Sequence, residues 1–305
     1  MLILFSSTLL LPRLTQAEAL VAVSIKPVHS LVSSLMRGVG QPELIVSASG
    51  SPHGYNMRPS EMRTLQNAAL IVWIGPELET FLDRPLKSRA RRDSVLTLLT
   101  DVDRLKILPA REGGAWEEPE KNEHSHAHAQ KDPHIWLSPD NARTIADAVL
   151  ARLLNLDPKN SRIYRANHAA LIARIDALAK RLTTLLESLS NRNYIVFHDA
   201  YQYFEESFRL TPIGALAVDP DRRPGARRLA QLRNRIINSS VSCIFTEPQF
   251  EPRLVETLTE GTPVRVGVLD PLGADLEPGP ELYFQLMVRM ADSLVNCLSP
   301  AKDNK

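Results

Sequence analysis

The chain has 305 residues, 44% of them hydrophobic, which is enough for one large domain or two ordinary ones with buried cores. Its 36 Lys and Arg nearly cancel its 35 Asp and Glu, so no single-sign field draws it to nucleic acid or to an acidic membrane surface.

The chain opens on an apolar run (Leu2 to Phe5, then Leu9 to Leu11) followed by Thr15-Gln16-Ala17. That is the pattern of a secretory signal with a small-residue cleavage site, and residues 1–17 are read as one. No later apolar stretch approaches the roughly 20 residues that span a bilayer, and no cysteine lies near the cleavage point to carry a lipid. A freely soluble periplasmic monomer without a membrane anchor is expected.

Past the signal, short β-branched runs alternate with helical patterns. Val21 to Ile25, Leu44 to Val46 and Leu70 to Ile74 read as strands, with helices over Val28 to Met36 and Ser60 to Gln66. The rhythm returns with Tyr194 to Phe197, Ser242 to Phe245 and Val264 to Leu269, and with a helix over Arg227 to Ile236. Such βαβ alternation predicts an α/β fold of two similar lobes, each a mostly parallel sheet flanked by helices. Residues 18–157 form the first lobe in this reading and 191–305 the second.

From Lys159 to Leu189 there is no Gly or Pro, and Leu171, Ile175, Leu178, Leu182, Leu185 and Leu189 recur at spacings of four and three. One long amphipathic helix over 158–190 follows, joining the lobes as a rigid strut. A shorter helix before it starts with Ser138 as N-cap and Pro139 in the first turn. Residues 112–131 are polar and charged, too poor in large apolar side chains to order themselves, and are read as a mobile insert in the first lobe.

Three of the eight histidines, His124, His126 and His128, alternate within that insert, a spacing that lets a flexible chain offer imidazoles to one ion as a low-affinity collector. His198 and Asp270 each follow an apolar strand, at the carboxyl edge where open α/β sheets bind ligands. His53 lies in the turn Ser51-Pro52-His53, and His134 sits just ahead of the Ser138 helix start. Three neutral imidazoles with a carboxylate or water make a four-coordinate site suited to Zn2+, whereas manganese favours more oxygen donors. His29 and His168 fall inside helical patterns and are read as structural. The only two cysteines, Cys243 and Cys297, are a disulfide candidate in an oxidising compartment, the alternative being two buried thiols.

Eight motifs in order carry a resemblance. They are Ser24-Ile25-Lys26-Pro27, Ser51-Pro52-His53-Gly54-Tyr55 with Arg58-Pro59-Ser60, Leu65-Gln66-Asn67-Ala68, Val72 to Glu77, His134-Ile135-Trp136-Leu137-Ser138-Pro139, Phe197-His198-Asp199-Ala200-Tyr201, Thr246-Glu247-Pro248-Gln249-Phe250 and Leu269-Asp270-Pro271-Leu272-Gly273. Through them the chain resembles, nearly end to end, the periplasmic metal-binding proteins of cluster A-I ABC importers, and among these the high-affinity zinc-uptake proteins. The resemblance implies two α/β lobes bridged by a long helix, Zn2+ as the transported ligand in the cleft, and an inner-membrane ABC permease as partner. It assigns ligand roles to His53, His134 and His198, with Asp270 or water in fourth place; the Glu that some relatives carry before the first His is Pro52 here. It also implies a Cys243–Cys297 disulfide. Other readings stay open: a manganese or iron carrier of the same family, a zinc chaperone or adhesin, or a secreted zinc hydrolase with Glu247 as general base. Against the hydrolase, the sequence lacks a His-Glu-x-x-His helix.

Overall fold

The computed structural model describes residues 20–47, 50–89, 91–111, 130–217, 225–250 and 253–299. The expected signal segment and the insert histidines His124, His126 and His128 lie outside them.

The first lobe is a four-stranded parallel sheet in the order β2-β1-β3-β4, with β1 at Val21–Val23, β2 at Glu43–Leu44, β3 at Leu70–Trp73 and β4 at Val95–Thr97. The second repeats it as β6-β5-β7-β8, with β5 at Tyr194–His198, β6 at Gly214–Ala217, β7 at Cys243–Thr246 and β8 at Arg265–Val268. Every residue of β1, β3 and β5 is buried, which is why these strands read as unbroken apolar runs without alternation. The short strands β4 and β6 were not legible in the sequence.

Alternation still decides which core each side chain enters. Val21 and Val23 of β1 face the central core, while Ala22 between them packs on the outer side of the sheet. Two helices cover that outer side through Leu65 of α2 (Pro59–Asn67) and through Leu82 and Leu86 of α3 (Thr80–Lys87). In the second lobe the same place is taken by α8 (Ala226–Asn238) and α9 (Arg253–Thr259), whose Leu232, Ile236, Val255 and Leu258 close on Ile195, Phe197 and Ile244.

The central core is shared by both lobes. It is filled from α1 (Lys26–Leu35), α5 (Pro139–Leu156), α6 (Ser161–Leu186) and α10 (Leu282–Leu298), which pack against one another between the two sheets. Short helices α4 (Leu98–Asp101) and α7 (Gln202–Phe208) complete the layers. Ser138 caps α5 by accepting from Asn141 N at 3.3 Å.

The expected strut is α6, extended at its two ends by 3-10 turns at Pro158–Asn160 and Glu187–Leu189. Its 26 α-helical residues span about 39 Å at about 1.5 Å per residue. Its buried stripe is Leu171, Ile175, Leu178, Leu182, Leu186 and Leu189. Leu186 takes the fully buried place expected for Leu185, because the late spacing is four and then three. Each such leucine contributes roughly 1.5–3 kcal/mol of burial, so separating the lobes along this layer would be costly.

Cys243 of β7 and Cys297 of α10 form a disulfide, stapling the central layer to the second sheet. Gly267 on β8 makes room for this: a Cβ there would lie 2.6 Å from the Phe245 ring and 3.2 Å from Cys297 Sγ.

Candidate metal centre

In both lobes the first strand is flanked by the second and third, so the chain reverses its direction of winding at the carboxyl ends of the first and third strands, where α/β sheets bind ligands. His198 is the last residue of β5 and Glu247 the first after β7. They meet across this gap: Glu247 Oε1 accepts from His198 Nδ1 at 2.7 Å and from His198 N at 3.3 Å. His134 precedes the 3-10 turn Ile135–Leu137 that leads into α5. There Asp132 Oδ1 accepts both from His134 Nδ1 at 2.8 Å and from His134 N at 3.0 Å. His53 stands in the loop between β2 and α2, where its N donates to Ser51 Oγ at 3.2 Å. Glu61 fixes the far side of that loop, accepting from Tyr55 Oη and Arg58 N, each at 2.6 Å.

Each ligand atom of His53, His134 and His198 lies within 4.8 Å of the others, and this is the one such His, Cys or carboxylate group among the described residues. Ring centroids are 5.2–5.9 Å apart. His134 Nε2 and His198 Nε2 are separated by 3.3 Å. Two nitrogens on a tetrahedral Zn2+ at about 2.0–2.1 Å would be about 3.3–3.4 Å apart, so this pair already has the spacing of ligands. With Nδ1 protonated toward Asp132 and Glu247, both rings aim the Nε2 lone pair into the cleft, which is how carboxylate partners orient metal-binding imidazoles. The space among them is a cavity of about 10 Å³, room for about one water-sized body.

The electrostatics differ between the two buried rings. Burial, and secondarily His198, hold His134 well below the ordinary imidazole range, so it stays neutral. Burial also disfavours a charged His198, but the charge and hydrogen bond of Glu247 outweigh it and raise that ring. Burial lifts the Asp132 carboxyl to about 7. Beside the histidines a larger cavity of about 310 Å³ is lined by Arg111, Lys131, Asp132 and Asp199 among others. Arg111 spans it from the first lobe, pairing with Asp199 at 3.2 Å and Glu205 at 2.7 Å. Ala110 and Gln130 also line it and meet there, Ala110 N donating to Gln130 O at 2.6 Å.

Asp270 stands outside the histidine group. Its carboxylate accepts from Gln249 Nε2 at 2.8 Å, Leu272 N at 3.0 Å and Ala274 N at 2.6 Å, closing its own loop. His29 and His168 are structural as expected: His29 Nε2 bonds Pro42 O at 2.9 Å and His168 Nε2 bonds Asp147 at 2.7 Å. Sequence reasoning missed Asp132 and the orienting role of Glu247. The signal was local for Asp132, two residues before a ligand candidate, and absent for Glu247, which becomes His198's neighbour only when β5 and β7 pair.

Two parallel α/β lobes fused through a helical layer, with imidazoles from both lobes converging at the seam, define a two-lobed binding-protein architecture. The family model described as "Zinc-uptake complex component A periplasmic" (ZnuA) matches residues 21–297. The chain is 40% identical over 306 residues to the high-affinity zinc uptake system protein ZnuA of Brucella suis biovar 1, covering 92% of this chain and 91% of that one. It is 36% identical over 307 residues to the Yersinia pestis protein of the same name, with 97% and 96% covered. A crystal structure of ZnuA superposes with a TM-score of 0.77 at 26% identity, over 92% of this chain and 98% of that one. The periplasmic zinc-binding protein TroA of Treponema pallidum shares the fold, with a TM-score of 0.80 at 21% identity and 93% and 100% covered. The chain belongs to the ZnuA family of periplasmic zinc-uptake components.

Proposed function

We propose that this protein captures Zn2+ in the cleft between its lobes through His53, His134 and His198, with water in the fourth place, and delivers it to an ABC permease of the inner membrane. The observation that carries the reading is the 3.3 Å approach of two oriented Nε2 atoms from different lobes, a spacing that suits a tetrahedral ion and leaves little room for a larger substrate. Residues 18–157 and 191–305 act as the two jaws about the strut 158–190, and His124, His126 and His128 serve as a weak collector.

The protein turns nothing over in this proposal. Glu247, the residue a hydrolase would need as general base, spends Oε1 on His198, so its role is to aim a ligand. Metal analysis of protein purified from periplasm tests the reading: one Zn2+ per chain is expected, lost in the variant with His53, His134 and His198 all changed to Ala. Zinc retained by that variant would overturn it.

A further inference from the structure

Lys26 opens α1 in the first lobe, yet its side chain ends in the second. The residue is only 8% exposed, and its ammonium donates to Gly273 O at 3.3 Å, Ala274 O at 2.7 Å and Leu276 O at 3.1 Å. An ammonium has three protons and no acceptor, so these carbonyls satisfy it completely and offset the cost of burying it. All three belong to the loop that follows Asp270.

The same loop is held at its start. Trp136 Nε1, again from the first lobe, donates to Pro271 O at 2.8 Å, and Tyr201 Oη donates to Leu269 O at 3.2 Å. Gly273 turns the loop at φ +69°, where a Cβ would meet Leu276 at 2.9 Å. Pro271 and Leu272 line the histidine cavity, so the loop passes beside the ion's position while its carboxylate stays on Gln249, Leu272 and Ala274. For Asp270 to reach the ion it must leave three hydrogen bonds, and its loop must shift against Lys26 and Trp136.

We propose that Lys26 is a specificity-determining positioning residue: by clamping the 270–276 loop from the opposite lobe it withholds the Asp270 carboxylate from the metal and keeps the donor set at three imidazole nitrogens. A nitrogen set favours Zn2+, and an added carboxylate moves a site toward Mn2+. The inference rests on the three-histidine reading given above.

The test compares wild type, Lys26→Met, Lys26→Arg, Asp270→Asn and the Lys26→Met/Asp270→Asn double variant, all as full chains, in Zn2+ and Mn2+ competition titrations, with Co2+ absorption reporting coordination. Lys26→Met is expected to lower the zinc-to-manganese affinity ratio tenfold or more and to change the Co2+ spectrum. The double variant restores the ratio, and Lys26→Arg, which keeps donors for the carbonyls, retains it. A Lys26→Met protein that loses thermal stability but keeps the wild-type ratio would reduce the clamp to a structural role and overturn the proposal. Should Lys26→Met fail to fold, Asp270→Asn alone decides: an unchanged Co2+ spectrum supports a withheld carboxylate, and an altered one means that Asp270 already ligates. Failure of the underlying reading looks different, since wild type would then take up no zinc, or would keep it after His198→Ala.

Discussion

His198 Nε2 lies 3.3 Å from His134 Nε2 although the two rings come from different lobes, 64 positions apart in the chain. Two imidazoles with facing lone pairs repel unless a cation or a proton lies between them, so this contact is the place where zinc and protons compete.

The competition has a sign. His134 is held below the ordinary imidazole range by burial, and His198 is raised because Glu247 outweighs the burial of that ring. On acidification His198 therefore takes the first proton, and it does so above the ordinary imidazole value of 6.5. Zinc affinity should fall by about tenfold per pH unit once this proton binds, and more steeply when further ligands protonate. Competition titrations at pH 7.5 and pH 5 measure it, and equal affinities at the two values would contradict the assignment.

Asp132 and Glu247 touch no ion in this scheme but fix the tautomer and angle of His134 and His198 at 2.8 and 2.7 Å. Asp132→Asn and Glu247→Gln keep the shape and remove the charge. Each should weaken zinc binding by about 10–100-fold while leaving one ion per chain. Isothermal titration reads both quantities, and unchanged affinity in both variants would assign these carboxylates to folding alone.

Most of the architecture was legible because its causes are local. Fully buried strands appear as apolar runs, the α6 stripe as a spacing of three and four, and the α5 start as a Ser-Pro pair whose hydroxyl caps the helix. Strands β4 and β6 escaped the reading, β6 because Gly214 and two alanines make no bulky apolar run, and both exist because a neighbouring strand supplies their hydrogen bonds. His198 stood out at a strand end, His134 just ahead of a helix start and His53 in a Ser-Pro turn. What sequence did not disclose is which polar group each neighbour spends on what. The Asp270 carboxylate satisfies its own loop, Glu247 orients His198 from another strand, and Lys26 crosses between lobes, 247 positions from Gly273. These are long-range pairings with no local signature.

The Cys243–Cys297 disulfide closes 54 positions of chain and joins β7 to the central helix α10. Constraint of the unfolded chain by a loop of this length is worth about 4 kcal/mol in the chain-entropy account. Changing both cysteines to Ala should therefore lower unfolding free energy by about 2–4 kcal/mol, with zinc stoichiometry retained, because neither residue lines the histidine cavity. Denaturant unfolding of the double variant beside wild type, each under non-reducing conditions, checks it; coincident transitions would mean that the bond contributes nothing.

Glu79 offers a pH effect on stability separate from the metal centre. Its side chain is fully buried beyond the end of β3, accepting from Ile74 N at 3.3 Å and Gly75 N at 3.0 Å. Burial raises its carboxyl from 4.5 to about 7 against these hydrogen bonds. The folded state thus holds the proton more tightly than the unfolded chain does. Its stabilising contribution is present in full below about 4.5 and is lost as the pH rises through about 7. Linkage over that interval amounts to at most about 3 kcal/mol. Glu79→Gln has no proton to lose, so the free-energy difference between variant and wild type should move in the variant's favour from pH 4.5 to pH 8. Thermal unfolding of zinc-free protein across that range measures the difference, and parallel curves would place the carboxyl's titration outside the folding equilibrium.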